Sequence, residues 1–371
     1  MQTMDRVTYK SNYVSVIEQF FCLVRCGIGK QNELPRIPTA EEWSELFEVA
    51  KKQTLTGIAF AGIERLPQEQ RPPKEILLQW YRMTAIIKNK NAELDRKCAF
   101  VAEKFRNEGF NNCILKGQGI AQLYPDPALR TPGDIDIWVG GGDEKAIEYV
   151  RRYFPECDPT YHHVDFPIAE GMDIEIHYRP SWAYSPIVDR RLQNFFEENA
   201  PTQFNNTIIT ANGCFPAPTA AFNRVYILLH IYRHLFFEGI GMRQMLDYYF
   251  VLQQEISPNE KAEYARLMKS FGLAKFASAT MYVLQQMFGL DEEHTLIKPG
   301  KRDGKFLMRE ILIAGNFGKY DHRYELGAHV YSLKRAFETV RRTMTLATRY
   351  PSETLWSPYF KIWHYFWRKR H

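Results

Sequence analysis

Apolar residues recur at helical spacing along most of this chain and switch to a period of two only between about residues 110 and 180. Residues 12 to 26 (NYVSVIEQFFCLVRC) and 40 to 65 (AEEWSELFEVAKKQTLTGIAFAGIER) carry the helical pattern, and Thr39 followed by Glu42 reads as a capping box. After Pro72-Pro73, residues 74 to 108 hold no Gly or Pro and predict one long helix that stops at Glu108-Gly109. Helical periodicity returns near 219 to 237, 241 to 254, 258 to 288, 303 to 315 and 329 to 346.

The intervening stretch behaves differently. "NNCILKG" predicts a short buried strand ended by Gly117, followed by a short helix over "QGIAQLY". "DIDIWVGGG" alternates strictly and closes on three glycines, 143 to 153 is helical, and 161 to 167 with 172 to 178 alternate like a hairpin turned at Glu170-Gly171. The expectation is an α+β protein. A small mixed-sheet core at 110–217 is flanked by N-terminal helices (1–109) and a C-terminal helical domain (218–371).

Composition adds limits. With 371 residues and 45% hydrophobic content the chain can bury a full core, and its net charge of +5 suits a polyanionic ligand without marking a dedicated nucleic-acid binder. Six cysteines without a CxxC pair are expected to be reduced. There is no leader-like apolar segment at the start and no run long enough to span a bilayer, so a cytoplasmic location is expected.

The candidate chemistry lies in "LKGQGIAQLYPDPALRTPGDIDIWV", residues 115 to 139. Alternation puts Asp134 and Asp136 on one strand face, with Ile135, Ile137 and Val139 on the other. Two carboxylates held that close call for a hard cation, Mg²⁺ or Mn²⁺ in its place. Downstream, "DIEIH" puts Asp173, Glu175 and His177 on one face, so either acid can serve as a third carboxylate if that strand neighbours the first. Three carboxylates around two metals suit in-line displacement at phosphorus. Gly117 and Gly119 lie where strand turns to helix, a phosphate-attracting place, and Lys116 and Arg130 supply positive charge.

These residues, together with "DIEIHYRPSW" and "LLHIYRHLFFEGIGMRQMLDYYFVL", resemble the nucleotidyltransferase superfamily of the DNA polymerase β fold, and within it a bacterial group of uncharacterised nucleotidyltransferases. The resemblance spans residues 115 to 252. It implies that Gly117 and Gln118 meet the triphosphate of an NTP, that Asp134 and Asp136 bind Mg²⁺, and that Glu175 is the third carboxylate. Gln118 stands where that family usually has serine. The implied reaction moves an NMP from the NTP to an acceptor hydroxyl and releases pyrophosphate, the acceptor being a small molecule, sugar, protein or RNA.

Other residues admit two readings. His230 and His234 fall at i and i+4 without the glutamate of a zinc HExxH motif, and Arg243 and Asp247 fall at i and i+4 on the next helix. Arg243 either pairs with Asp247 or, like His234, contacts nucleotide. His162 and His163, being adjacent on a strand, are expected to face opposite ways. The basic aromatic end "WSPYFKIWHYFWRKRH" suits a membrane interface or stacked bases, the simpler reading being a last helix packed by its aromatics. Two other functions use similar features: a DxD glycosyltransferase acting on a nucleotide-sugar, and a nucleotide-binding module without catalysis.

Overall fold

The computed structural model describes residues 2–168, 173–321, 341 and 344–371. Four helices lead: α1 (Gln2–Gly27), α2 (Ala40–Lys52), α3 (Thr56–Arg65) and α4 (Lys74–Asn107). The Thr39 capping box forms as its spacing predicts. The continuous pattern over 40 to 65, however, is broken into two helices where Thr54 takes φ 53°. That left-handed residue lets Leu55 (1% exposed) turn into the core.

A four-stranded mixed sheet follows in the order β1-β2-β4-β3, from β1 (Asn112–Leu115), β2 (Ile135–Val139), β3 (His163–Asp165) and β4 (Ile174–His177). The β1–β2 and β3–β4 pairs are antiparallel, and β2–β4 is parallel. The turn expected at Glu170-Gly171 lies outside the described residues. Helices α5 (Gly117–Ala121) and α6 (Gly142–Tyr153) connect the strands. On one face Ile114, Ile135, Ile137, Val164, Ile174 and Ile176 pack with Val101 and Phe105 of α4 and Ile147 and Val150 of α6. Each such aliphatic side chain contributes about 1.5–3 kcal/mol of burial, which pins the strand register.

The other face is divided. Trp138 packs on Phe204 of α7 (Pro186–Asn205) and stacks on Phe222 of α8 (Ala220–Phe237), at centroid distances of 4.8 and 5.7 Å. Helix α7 and the hairpin β5 (Thr207–Thr210) with β6 (Gly213–Pro216) were not legible in the sequence. α7 buries only Leu192, Phe196 and Gln203 and carries Pro201, so its period is faint.

The remaining helices are α9 (Met242–Leu252), α10 (Pro258–Ser270), α11 (Ala274–Phe288), α12 (Lys301–Ala314) and a last helix, Pro351–Arg368. The predicted helix over 258 to 288 is two, turned at Gly272 with φ 70°. Of the helix expected at 329 to 346, most lies outside the described residues. A single apolar cluster joins Phe20, Trp43 and Ile58 of the N-terminal helices to Leu115, Trp138, Tyr226, Leu246 and Ile311. The cluster thus draws on residues from all three stretches. No helix among the described residues is long and apolar enough to cross a membrane.

Helix α3 approaches the loop before β2 at Gly57, where an added Cβ would stand 2.4 Å from the Leu129 carbonyl oxygen. Gly57→Ala is expected to lower stability by about 1–3 kcal/mol through overpacking, read as a lower urea midpoint with an unchanged m-value.

Candidate active site

Strand pairing builds the site. β2 and β4 place Asp136 directly opposite Glu175, and β3 brings His163 opposite His177. The strand carrying the third acid therefore does lie beside the Asp-x-Asp strand. Asp173 precedes β4, whereas Glu175 lies within it, beside Asp136. These polar residues occupy the part of the sheet face that Trp138 does not cover, and they open into a cleft of about 530 Å³.

Asp136 is 2% exposed and bridges two cations, with Lys116 Nζ at 2.8 Å from Oδ2 and His177 Nε2 at 2.8 Å from Oδ1. His177 Nε2 also meets Glu175 Oε2 at 3.2 Å. Burial alone would raise the Asp136 carboxyl, but Lys116 and His177 outweigh it and hold the group below its ordinary range. Glu175 is likewise pushed upward by burial yet pulled down to about 2, chiefly by His177. Burial disfavours the charged form of His177, but its hydrogen bonds to Asp136 and Glu175 raise it to about 9. Lys116 is held protonated by Asp136 against the same desolvation. The cluster is thus two carboxylates balanced by an ammonium and an imidazolium.

Asp134 lines the cleft from an exposed position just before β2 and stands outside the groups of candidate ligand atoms that lie within 4.8 Å of one another. Asp136, Glu175 and His177 form one such group. Two hard oxygen donors with their charge already matched by protein cations fit a divalent cation that would displace those contacts.

Several expected contacts are rearranged. Gln118 does not face the cleft. It is 2% exposed and donates to Asp95 Oδ1 at 2.5 Å, because the turn after Lys116 directs it onto α4. Gly117 lines the cleft with φ 37°, whereas Gly119 serves packing, since a Cβ there would meet Ala217 at 3.0 Å. Arg130 is paired with Asp247 through both Nε and Nη2 at 2.8 Å, and Tyr124 donates to the same carboxylate at 2.6 Å. Asp247 therefore holds Arg130, correcting the expected contact between Arg243 and Asp247. Arg243 is 5% exposed, donates Nη1 to the Thr131 carbonyl at 2.9 Å, and buries Nε without a partner. Burial and the neighbouring Arg130 lower its affinity for its proton, which marks a cation short of countercharge at the cleft wall.

His234 lines the cleft with Nδ1 3.4 Å from Glu238 Oε2, and His230 lines it beside His234. Burial lowers the His230 affinity for its proton well below the ordinary value. His162 and His163 both face the cleft, contrary to the alternation argument. β3 begins only at His163, so His162 sits on a bend where period two does not hold.

Sequence reasoning missed the opposite wall. Trp182 stacks on Phe360 at 4.2 Å, and the Arg233 guanidinium covers Trp182 at 3.7 Å while donating to Glu353 Oε2 at 2.8 Å. The last helix is thereby clamped beside the site. Its packing face includes Phe360, but Leu355, Tyr359, Ile362 and Phe366 are 53–77% exposed, so its aromatics are only partly packed. The residue type that signals this wall is the tryptophan in "YRPSW"; nothing local to residue 353 marks its glutamate as the arginine's partner.

Residues 39–289, more than half of the chain, match the family described as uncharacterised nucleotidyltransferase. No curated protein matches the sequence.

Two measurements check the electrostatics. With its folded value raised from 6.5 to about 9, His177 contributes stability that is complete below 6.5 and is lost as pH rises through about 9. With its value lowered from 4.5 to about 2, Glu175 contributes stability that is complete above 4.5 and is lost as pH falls through about 2. Denaturation in EDTA should therefore show this contribution whole between pH 4.5 and 6.5 and declining toward pH 9, with the alkaline decline reduced in His177→Gln. Separately, Asp247→Ala strands the buried Arg130 charge and is expected to cost about 3–5 kcal/mol. An Arg130→Met, Asp247→Leu double variant should regain most of that loss in chemical denaturation.

Proposed function

The chain belongs to that nucleotidyltransferase family, and from this premise we propose that it transfers a nucleoside monophosphate from an NTP to an acceptor hydroxyl and releases pyrophosphate. The observation that carries the reading is the β2–β4 register, which sets Asp136 against Glu175 at the floor of a cleft walled by Lys116 and Arg243. Asp136 and Glu175 would hold Mg²⁺, or Mn²⁺ in its place, with Asp134 at the cleft mouth as a further oxygen donor. The bound cation would neutralise phosphate charge and acidify the attacking hydroxyl.

The protein's own groups have distinct parts. Arg243 lines the cleft and its neighbour Asp247 is taken by Arg130, so it is a cation placed to take a phosphate oxygen. Lys116, which holds Asp136, would be freed toward phosphate if that carboxylate held a divalent cation. Gly117 leaves backbone approach open where a side chain would crowd the ligand. His234 stands beside this path. Arg130 acts by holding the segment before β2 through Asp247 rather than by touching phosphate. Glu175, ionised throughout the neutral range, accepts a hydrogen bond from the acceptor hydroxyl. As that oxygen bonds to the α-phosphorus, the α–β phosphoanhydride bond breaks, the hydroxyl proton passes through the carboxylate to water, and pyrophosphate departs. The aromatic wall of Trp182 and Phe360 offers flat apolar surface to the base or the acceptor.

Incubation with α-labelled NTPs, Mg²⁺ and cell extract should put label on an acceptor fraction. Asp136→Asn and Glu175→Gln are each expected to lower that transfer at least about 10³-fold, with circular dichroism confirming that the variants fold. Arg243→Ala should raise the NTP KM about tenfold or more, as loss of a charged hydrogen bond predicts. Wild-type turnover by Asp136→Asn, or a wild-type chain that neither binds NTP nor transfers label, would sink the reading.

A further inference from the structure

The imidazoles of His162 and His163 take no part in the transfer just described, yet they sit on the same cleft floor. His162 Nε2 and His163 Nδ1 face each other at 2.9 Å, and Glu175 Oε2 lies 3.9 Å from that same His163 nitrogen. His162, His163 and His177 each offer a nitrogen within 4.8 Å of the others. An ion about 2.1 Å from two nitrogens holds them about 3.4 Å apart in a tetrahedron, so the facing nitrogens would open by about half an ångström to admit one.

We propose that His162, His163 and His177, with Glu175, form a binding site for one divalent transition-metal ion of the zinc and cobalt type. The donor set decides the class. Mg²⁺ takes oxygen ligands, whereas imidazole nitrogens favour Zn²⁺ and its neighbours. The Asp136 side of the cluster is a hard-cation site, and the His162 side is a borderline-soft one joined to it through Glu175.

Three further features match such a site. His177 is 4% exposed and its Nδ1 is buried without a hydrogen-bond partner. Thr160 Oγ1 lies 3.3 Å from His162 Nδ1, so the His162 nitrogen away from the shared point has an orienting oxygen, while Asp165 Oδ1 stands 3.9 Å from His163 Nε2. The register that pairs His163 with His177 and Asp165 with Glu175 fixes all of these groups but His162 from two strands, and His162 sits on the bend that enters β3. All three histidines line the open cleft, which gives an ion a path in.

The test needs no turnover, so its failure leaves nucleotidyl transfer at Asp136 and Glu175 standing. The full chain, stripped with chelator, is titrated with Zn²⁺ by calorimetry and with Co²⁺ by visible absorption. One ion per chain is expected, with Co²⁺ bands of a nitrogen- and oxygen-ligated centre. His162→Gln and His163→Gln should each weaken binding at least about tenfold, while Asp136→Asn keeps the site. No binding by the wild-type chain, unchanged binding in both histidine variants, or loss in Asp136→Asn alone would overturn the proposal. Should the histidine variants fail to fold, the Co²⁺-loaded wild type gives the same decision by proton NMR: hyperfine-shifted resonances from more than one imidazole support the site, and shifts of one imidazole or none refute it.

Discussion

Everything around the cleft depends on keeping Asp136 ionised in a place with 2% exposure. A carboxylate so far from water is costly unless cations and hydrogen bonds surround it. Lys116 and His177 supply both, and each comes from a different strand connection: Lys116 from the end of β1, His177 from the end of β4. The sheet must therefore pair β1, β2 and β4 in a single register, since a slip of one residue would bury Ile135 or Ile137 among charges and send Asp136 into the apolar face.

A second tier of buried ion pairs ties the helices to that sheet. Arg130, just before β2, is held bidentately by Asp247 of α9, and Tyr124 closes the same carboxylate. Arg233 of α8 reaches Glu353 of the last helix while lying on Trp182. Each pair spans more than a hundred residues of sequence, and each positions one wall of the cleft. Buried pairs of this kind add little net stability relative to apolar replacements, but losing one partner is severe, so they act as registration devices between elements.

The cleft divides its charge unevenly. Its floor is neutralised internally, whereas Arg243 stands at the wall with a buried, unpartnered Nε. Beside it, the histidine-rich end of the floor gathers His162, His163 and His177.

The sequence by itself determined the long helix α4, the capping box at Thr39, and the strand faces that carry Asp136 and Glu175, because these follow from periods of 2 and 3.6 and from residues close in the chain, whereas the pairing that sets Asp136 beside Glu175 came only with the fold. It misjudged breaks set by single backbone angles, at Thr54 and Gly272, where an unbroken apolar pattern hides a turn. Which charged groups remain available was decided only by tertiary structure. Arg130 and Gln118 look like phosphate ligands beside the glycine turn, yet Asp247 and Asp95, 117 and 23 residues away, take them. Arg243 looks paired with Asp247 at helical spacing, yet folding gives that aspartate to Arg130 and leaves Arg243 short of a partner. Local spacing fixes which direction a side chain leaves the backbone; only packing between distant elements fixes what it meets there.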